Sequence, residues 1–168
     1  QPEPVLLRER VGMVLSLLQG NLITKKIHFE CSLDPEMLVY ADRTHLSLVM
    51  QNLVSNAIKF TQEKGKISVY ASQQDDMIII CVADNGVGIA SQRLNDLFQI
   101  ETSFSTVGTA NEKGTGLGLI LCHELVRENG GQIWAESTLS EGSRFYFTLP
   151  SSIRALAVLD EDSSLKQN

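Results

Sequence analysis

Two runs in the middle of the chain leave little freedom of fold. KISVYAS (66–72) and MIIICVA (77–83) have strand length and strand chemistry, and only Gln73–Asp76 separates them. A connection that short closes an antiparallel hairpin, since parallel neighbours need a crossover of about a dozen residues or more. The other segments fit around this hairpin. Residues 8–25 carry Val11, Val14 or Leu15, Leu18 and Leu22 at helical spacing. IHFECSL (27–33) alternates as a half-buried strand, Asp34-Pro35 turns, and MLVYA (37–41) reads as another short strand. Asp42 caps a long helix over about 43–61. A helix is expected over 117–129, stopped by Gly130-Gly131, and then a strand pair, 132–137 and 143–149, turning at Glu141-Gly142. Paired strands with three long helices predict an α+β fold, a two-layer α/β sandwich. The alternation leaves one sheet face wetter than the other.

The bulk properties exclude several function classes. At 168 residues the chain forms one domain with a real core. A net charge of -6 argues against non-specific nucleic-acid binding. No apolar stretch approaches the length of a membrane span, so no direct membrane contact is expected. Cys31, Cys81 and Cys122 lack any CxxC spacing and read as buried free thiols of a reducing compartment.

Four features carry chemistry. On the helix 43–61, Leu46, Val49 or Met50, Leu53, Ala57 and Phe60 form the apolar stripe, while Asn52, Asn56, Lys59 and Glu63 follow at steps of four, three and four. Those steps keep the four on one strip. An asparagine carbonyl is a hard oxygen suited to Mg²⁺, and a lysine one turn on can meet a phosphate. Taken alone, the strip is more often a solvated helix face. The second feature is Asp84-Asn85-Gly86-Val87-Gly88-Ile89, directly after a strand. A carboxylate backed by two glycines can accept from an exocyclic amine and let the backbone approach a flat base; DNG is also plain turn chemistry. Third, Gly114-Thr115-Gly116-Leu117-Gly118-Leu119 enters a helix and offers free amides and the positive dipole end to an anion, or else serves as a hinge. It is neither a GxxxxGK[ST] loop nor the dinucleotide GxGxxG fingerprint. Fourth, the long polar segment 98–113 between the glycine boxes has the length of an active-site lid, with Gly108 and Gly114 as hinges.

Taken in order, these residues resemble the catalytic ATP-binding domain of sensor histidine kinases, within the superfamily that includes gyrase B, a heat-shock chaperone and mismatch-repair ATPases. The resemblance covers about residues 4–150. QNLVSNAIKFT (51–61) looks like the asparagine box, DNGVGI (84–89) the first glycine box, LF (97–98) the phenylalanine box, GTGLGL (114–119) the second glycine box, and GSRFYFTLP (142–150) the closing strand. It implies a mixed, mostly antiparallel five-stranded sheet with three main helices on one face. It implies ATP and Mg²⁺ as cofactors, with Asn56 on the metal, Asn52 one turn before it and Lys59 on a phosphate. Asp84 would receive the adenine amine in a pocket shaped by Gly86, Gly88 and Ile89. Gly114, Thr115, Gly116, Leu117, Gly118 and Leu119 would cradle the phosphates, with Phe98, Lys113 and Ser143 lining the site and 98–113 as the ATP lid.

Where hydrolysing relatives hold a water-polarising glutamate, this chain has Asn52, a poor base, which favours transfer to a protein acceptor over hydrolysis. The family's acceptor histidine sits in a separate helical hairpin in a segment resembling HExRTP; His28, His45 and His123 have no such context and read as structural or surface residues. The expected partners are therefore ATP or ADP, the histidine-containing dimerisation domain of the same parent, and a response regulator receiver domain. This domain alone is expected to be monomeric and cytoplasmic, with the parent soluble or anchored in the inner membrane. Residues 1–7 read as the linker from that hairpin. The tail 151–168 reads as disordered, or as the start of a receiver domain, because Ala155–Asp162 faintly resembles such a domain's first strand. A nucleotide-binding pseudokinase, a hydrolysing ATPase of the superfamily and a serine kinase of the anti-sigma type are the alternatives.

Overall fold

A computed structural model of the chain describes residues 1–99 and 117–165. The elements run β1 (Pro2–Leu6), α1 (Leu7–Thr24), β2 (His28–Ser32), β3 (Leu38–Asp42), α2 (Arg43–Phe60), β4 (Lys66–Gln74), β5 (Met77–Asp84), α3 (Ser91–Leu94), α4 (Gly118–Glu128), β6 (Ile133–Thr138), β7 (Gly142–Pro150) and α5 (Ser152–Leu165). Five strands form one sheet in the order β2-β4-β5-β7-β6, and β1 pairs with β3 in a separate two-stranded sheet. Among the described residues only β2 runs parallel to its neighbour; β4, β5, β7 and β6 pair antiparallel. The expected mixed sheet is present, and the hairpin turns tightly, with Gln74 opposite Met77 and Asp75 in the left-handed region at φ 55°.

Strand alternation divides the sheet into two faces. Ile67 and Val69 of β4, Ile78, Ile80 and Val82 of β5, and Phe145, Phe147 and Leu149 of β7 are buried in one core with residues of α1, α2 and α4. The helix stripes supply the other half: Val11 and Val14 from α1, Leu46, Val49, Met50, Leu53, Val54, Ala57 and Ile58 from α2, and Cys122, Leu125 and Val126 from α4. Each fully buried aliphatic or aromatic side chain contributes roughly 1.5–3 kcal/mol of transfer free energy. The opposite face is the wetter one, with Tyr70, Glu136 and Arg144 exposed. Trp134 and Tyr146 stack there at 5.4 Å, and Cys81 is buried on that side.

The helix ends are held by specific chemistry. Asp42 Oδ1 accepts from the His45 amide at 3.0 Å and caps α2, as its sequence position predicts. α1 closes through a left-handed Lys26 (φ 55°), with the Lys26 amide donating to the Ile23 carbonyl and the Ile27 amide to the Leu22 carbonyl. α4 closes in the same way at Gly130 (φ 80°). α2 ends differently, because its C-cap residue Thr61 is extended. Its last carbonyls are taken up by Lys25, whose Nζ donates to the Ile58 carbonyl at 2.7 Å and the Lys59 carbonyl at 3.1 Å. Lys25 is itself buried, so Lys25→Met should keep the packing of the stem and lose the ammonium. We expect a loss of about 2 kcal/mol, a fall in Tm of roughly 4–8 °C for a domain of this size, measurable by thermal unfolding.

Three expectations are corrected. Glu63 does not continue the polar strip of α2, because the helix stops at Phe60; Glu63 instead lies 3.5 Å from Lys26. Cys31 is exposed, since β2 is an edge strand with a neighbour on one side only. The tail run 155–159 lies in helix α5 and is neither strand nor unstructured; its alanines and leucines are strong helix formers and no partner strand is offered.

Candidate functional site

The sheet's helix-covered face ends in a row of four side-chain positions, one from each adjacent strand: Ile67, Asp84, Ser143 and Ser137. Ile67 continues the core, and the other three are polar. Asp84 is the last residue of β5 and turns its carboxylate back onto the loop it introduces. Its Oδ1 accepts from the Gly86 amide at 2.8 Å, and the Ser143 amide donates to the same carboxylate. Burial nevertheless wins over these donors and pushes the Asp84 carboxyl up to about 6. A half-buried carboxylate whose ionised form is short of donors is a site waiting for one.

The glycines of the loop are where they are because nothing larger fits. A Cβ on Gly86 would fall 2.2 Å from the Phe60 carbonyl oxygen, at the end of α2. One on Gly88 would fall 2.2 Å from the Thr138 carbonyl, and Gly88 also needs φ 73°. The loop is stitched on both sides: the Val87 amide donates to Phe60 O, the Ser140 amide to Val87 O, and the Ile89 amide to Ser137 Oγ at 2.7 Å. The base of the cleft is therefore a rigid strap between the C-terminus of α2 and the β6–β7 hairpin.

Asn52, Asn56 and Lys59 all lie on α2 and are half-buried. Asn52 Nδ2 donates to the Leu48 carbonyl at 3.0 Å, and its Oδ1 points at α4, where a Cβ on Gly118 would come within 2.9 Å. Gly118 at the start of α4 thus meets the asparagine strip directly. Leu117 precedes it, exposed, and its own side chain makes no capping bond. The positive end of the α4 dipole therefore lies against the Asn52 carboxamide. Among the described residues Asn56 has no hydrogen-bonding partner for its carboxamide, and Lys59 Nζ lies 4.9 Å from the Phe60 ring centroid. Ile89, Leu97, Phe98 and Leu119 are half-buried and pack against the core, with Phe98 against His123 at 6.2 Å.

The structure sets Asn52 against Gly118, Gly86 against Phe60 at the end of α2, Gly88 against Thr138 and Asp84 beside Ser143, while Asn56 and Lys59 lie on α2 with Asn52 and Ile89, Phe98 and Leu119 pack on the core. Lys113, Gly114, Thr115 and Gly116, and the lid over 100–113, lie outside the described residues. The donor set fits Mg²⁺ carried on phosphates. A half-buried carboxamide oxygen without a partner is available in Asn56, and no cluster of three or more His, Cys, Asp or Glu exists among the described residues to bind an ion by itself. Sequence reasoning missed Ser137, Gly142 and Lys25. A serine in a terminal strand carries no signal until the fold sets it beside the glycine loop. A Cβ on Gly142, at φ 117°, would fall 2.0 Å from the Asp84 carbonyl.

Residues 41–153 match the family described as histidine kinase-, DNA gyrase B-, and HSP90-like ATPase. The phytochrome-like protein Cph1 of Synechocystis sp. (strain ATCC 27184 / PCC 6803 / Kazusa) is 43% identical over 114 residues, 67% of this chain and 15% of its own length. The chain thus spans a small part of the curated relatives it matches. The solved catalytic domain of histidine kinase ThkA superimposes with a TM-score of 0.78 at 30% identity, covering 89% of this chain and 95% of that one. ThkA has also been solved in complex with the response regulator protein TrrA, with a TM-score of 0.75, 29% identity and coverage of 90% and 42%. Among the described residues no helix is long and apolar enough to cross a membrane. The chain belongs to the histidine kinase-, DNA gyrase B- and HSP90-like ATPase family, and within it to the catalytic ATP-binding domains of histidine kinases.

Proposed function

We propose that this domain binds Mg-ATP in the cleft between α2, α4 and the Asp84 loop and delivers the γ-phosphoryl group to a histidine on a separate helical dimerisation domain, for relay to a response regulator. The observation that carries the choice of transfer over hydrolysis is the α2 wall. That helix contains no carboxylate at any position, and Asn52, the side chain facing α4, is an amide with its own NH₂ already bonded to Leu48. An amide cannot take a proton from water. Phosphoryl transfer to an imidazole does not need it to, because the acceptor is itself the nucleophile and the protein's share is positioning and charge neutralisation.

The residues divide this work. Asp84 accepts the base amine, and the glycine strap lets the flat ring lie against backbone. Asn56 offers an oxygen to the metal, Lys59 a charge to the phosphates, and the start of α4 its free amides. Mg²⁺, when bound, supplies charge neutralisation on the phosphates. The partners are accordingly ATP or ADP, the acceptor hairpin of the same parent and a receiver domain; the solved pairing of ThkA with TrrA supports the last by analogy. The test is transfer in trans. The domain is incubated with radiolabelled ATP and a dimerisation hairpin of the same parent protein. Label on the hairpin, stable to base and labile to acid, is expected, with slow release of free phosphate. Rapid ATP hydrolysis without labelled hairpin would contradict the proposal and favour a hydrolase, whereas binding alone would favour a pseudokinase.

A further inference from the structure

The row Asp84–Ser143–Ser137 holds a hydroxyl network whose protons can be counted. Ser137 Oγ has three close partners: the Ile89 amide at 2.7 Å, the Gly142 carbonyl oxygen at 2.8 Å and Ser143 Oγ at 2.9 Å. A hydroxyl has one proton and two lone pairs. The amide can only donate and the carbonyl can only accept. The Ser137 proton therefore goes to Gly142 O; otherwise two oxygens would face each other at 2.8 Å with nothing between them. It follows that the Ser143 hydroxyl is the donor to Ser137. Its single proton is committed to Ser137, and only lone pairs remain on Ser143 Oγ. Ser143 is 6% exposed, so no bulk water competes to reorient it.

Resting on the nucleotide reading above, we infer that Ser137, a residue of β6 bonded to Ser143 and to the Ile89 amide, is a positioning residue for base selection. By fixing the Ser143 proton, it makes the polar wall at the base end of the cleft acceptor-only. Asp84 contributes an ionised carboxylate above pH about 6 and Ser143 a hydroxyl oxygen without an available proton. Such a wall accepts from a purine bearing an exocyclic amine and repels one bearing a carbonyl at the same position. An unpaired buried acceptor costs enough to be a strong filter. The same serine anchors the Ile89 amide and so holds the Gly88 turn against β6.

The test compares ADP with IDP, whose base carries a carbonyl in place of the amine, by calorimetric titration of the wild type, Ser137→Ala, Ser137→Thr, Ser143→Ala and the double alanine variant. Ser137→Ala frees the Ser143 proton, so the ADP-over-IDP preference should fall by about tenfold, roughly one hydrogen bond's worth. Ser137→Thr, which keeps the hydroxyl, should restore it. In the Ser143→Ala background, adding Ser137→Ala should leave the preference unchanged. A purely structural Ser137 would weaken ADP and IDP in parallel, with the ratio unaltered, and this would overturn the inference while leaving the nucleotide site intact. If the folded wild type binds neither nucleotide, the underlying reading of the cleft fails, and the inference fails with it.

Discussion

Asp84→Asn is expected to abolish nucleotide binding, by at least about 100-fold, and at the same time to stabilise the empty domain at neutral pH. Both effects come from one carboxylate. Its burial raises the folded-state value from 3.8 to about 6, so between those values the folded chain carries a proton that the unfolded chain lacks. Stability is then highest below the unfolded value and is lost as pH rises through about 6. At pH 7.5 the empty domain bears the cost of an ionised, partly desolvated carboxylate, bounded at roughly 3 kcal/mol by a shift of about two units. Asparagine removes the charge but offers one acceptor oxygen in place of two to the Gly86 and Ser143 amides, so we expect a net gain of about 1 kcal/mol. Thermal unfolding across pH checks this: the advantage of Asp84→Asn should shrink as pH falls toward 4. A bound donor stabilises the ionised form, so nucleotide binding should release a proton near pH 6 and should weaken as pH drops below it.

The second large effect is expected at Asn56. Asn56→Ala should leave the affinity for ADP without metal nearly unchanged, because the base end of the cleft is untouched. It should remove the tightening that Mg²⁺ produces, and it should slow transfer to the acceptor hairpin by about 10²–10³-fold. The reason is that Asn56 supplies the free oxygen. Asn52 has its NH₂ spent on Leu48 and its oxygen held against Gly118, so it cannot substitute without moving α4. Titrations with and without Mg²⁺, beside a single-turnover transfer assay, separate the two contributions.

Much of this architecture was readable from the residues because its signals are local. The 66–83 hairpin, the Asp42 cap and the Gly130 stop each depend on a few neighbouring residues, and each appears where expected. The polar strip of α2 was legible through helical periodicity, apart from Glu63, which periodicity alone would carry past a helix end that is set by tertiary contacts from Lys25 and Val87. What was not legible depends on partners distant in sequence. Ser137 lies 48 residues from the Ile89 amide it holds, and Lys25 lies 33 residues from the Ile58 carbonyl it caps. The exposure of Cys31 is a matter of strand order: the alternation of 27–33 specifies which residues share a face, and leaves open that β2 is at the sheet edge. The burial of Cys81 beside the stacked Tyr146 and Trp134 is likewise a product of register between strands β5, β7 and β6.

The central claim is that the Asp84 loop, the α2 asparagines and the start of α4 form one nucleotide site. The most direct measurement is a calorimetric titration of the folded domain with a non-hydrolysable ATP analogue at pH 7.5, with and without Mg²⁺. The account predicts one binding event per chain that Mg²⁺ tightens and Asp84→Asn removes. A folded domain that gives no heat and no competition with ADP under either condition, or one that binds equally well with Asp84→Asn, would contradict it.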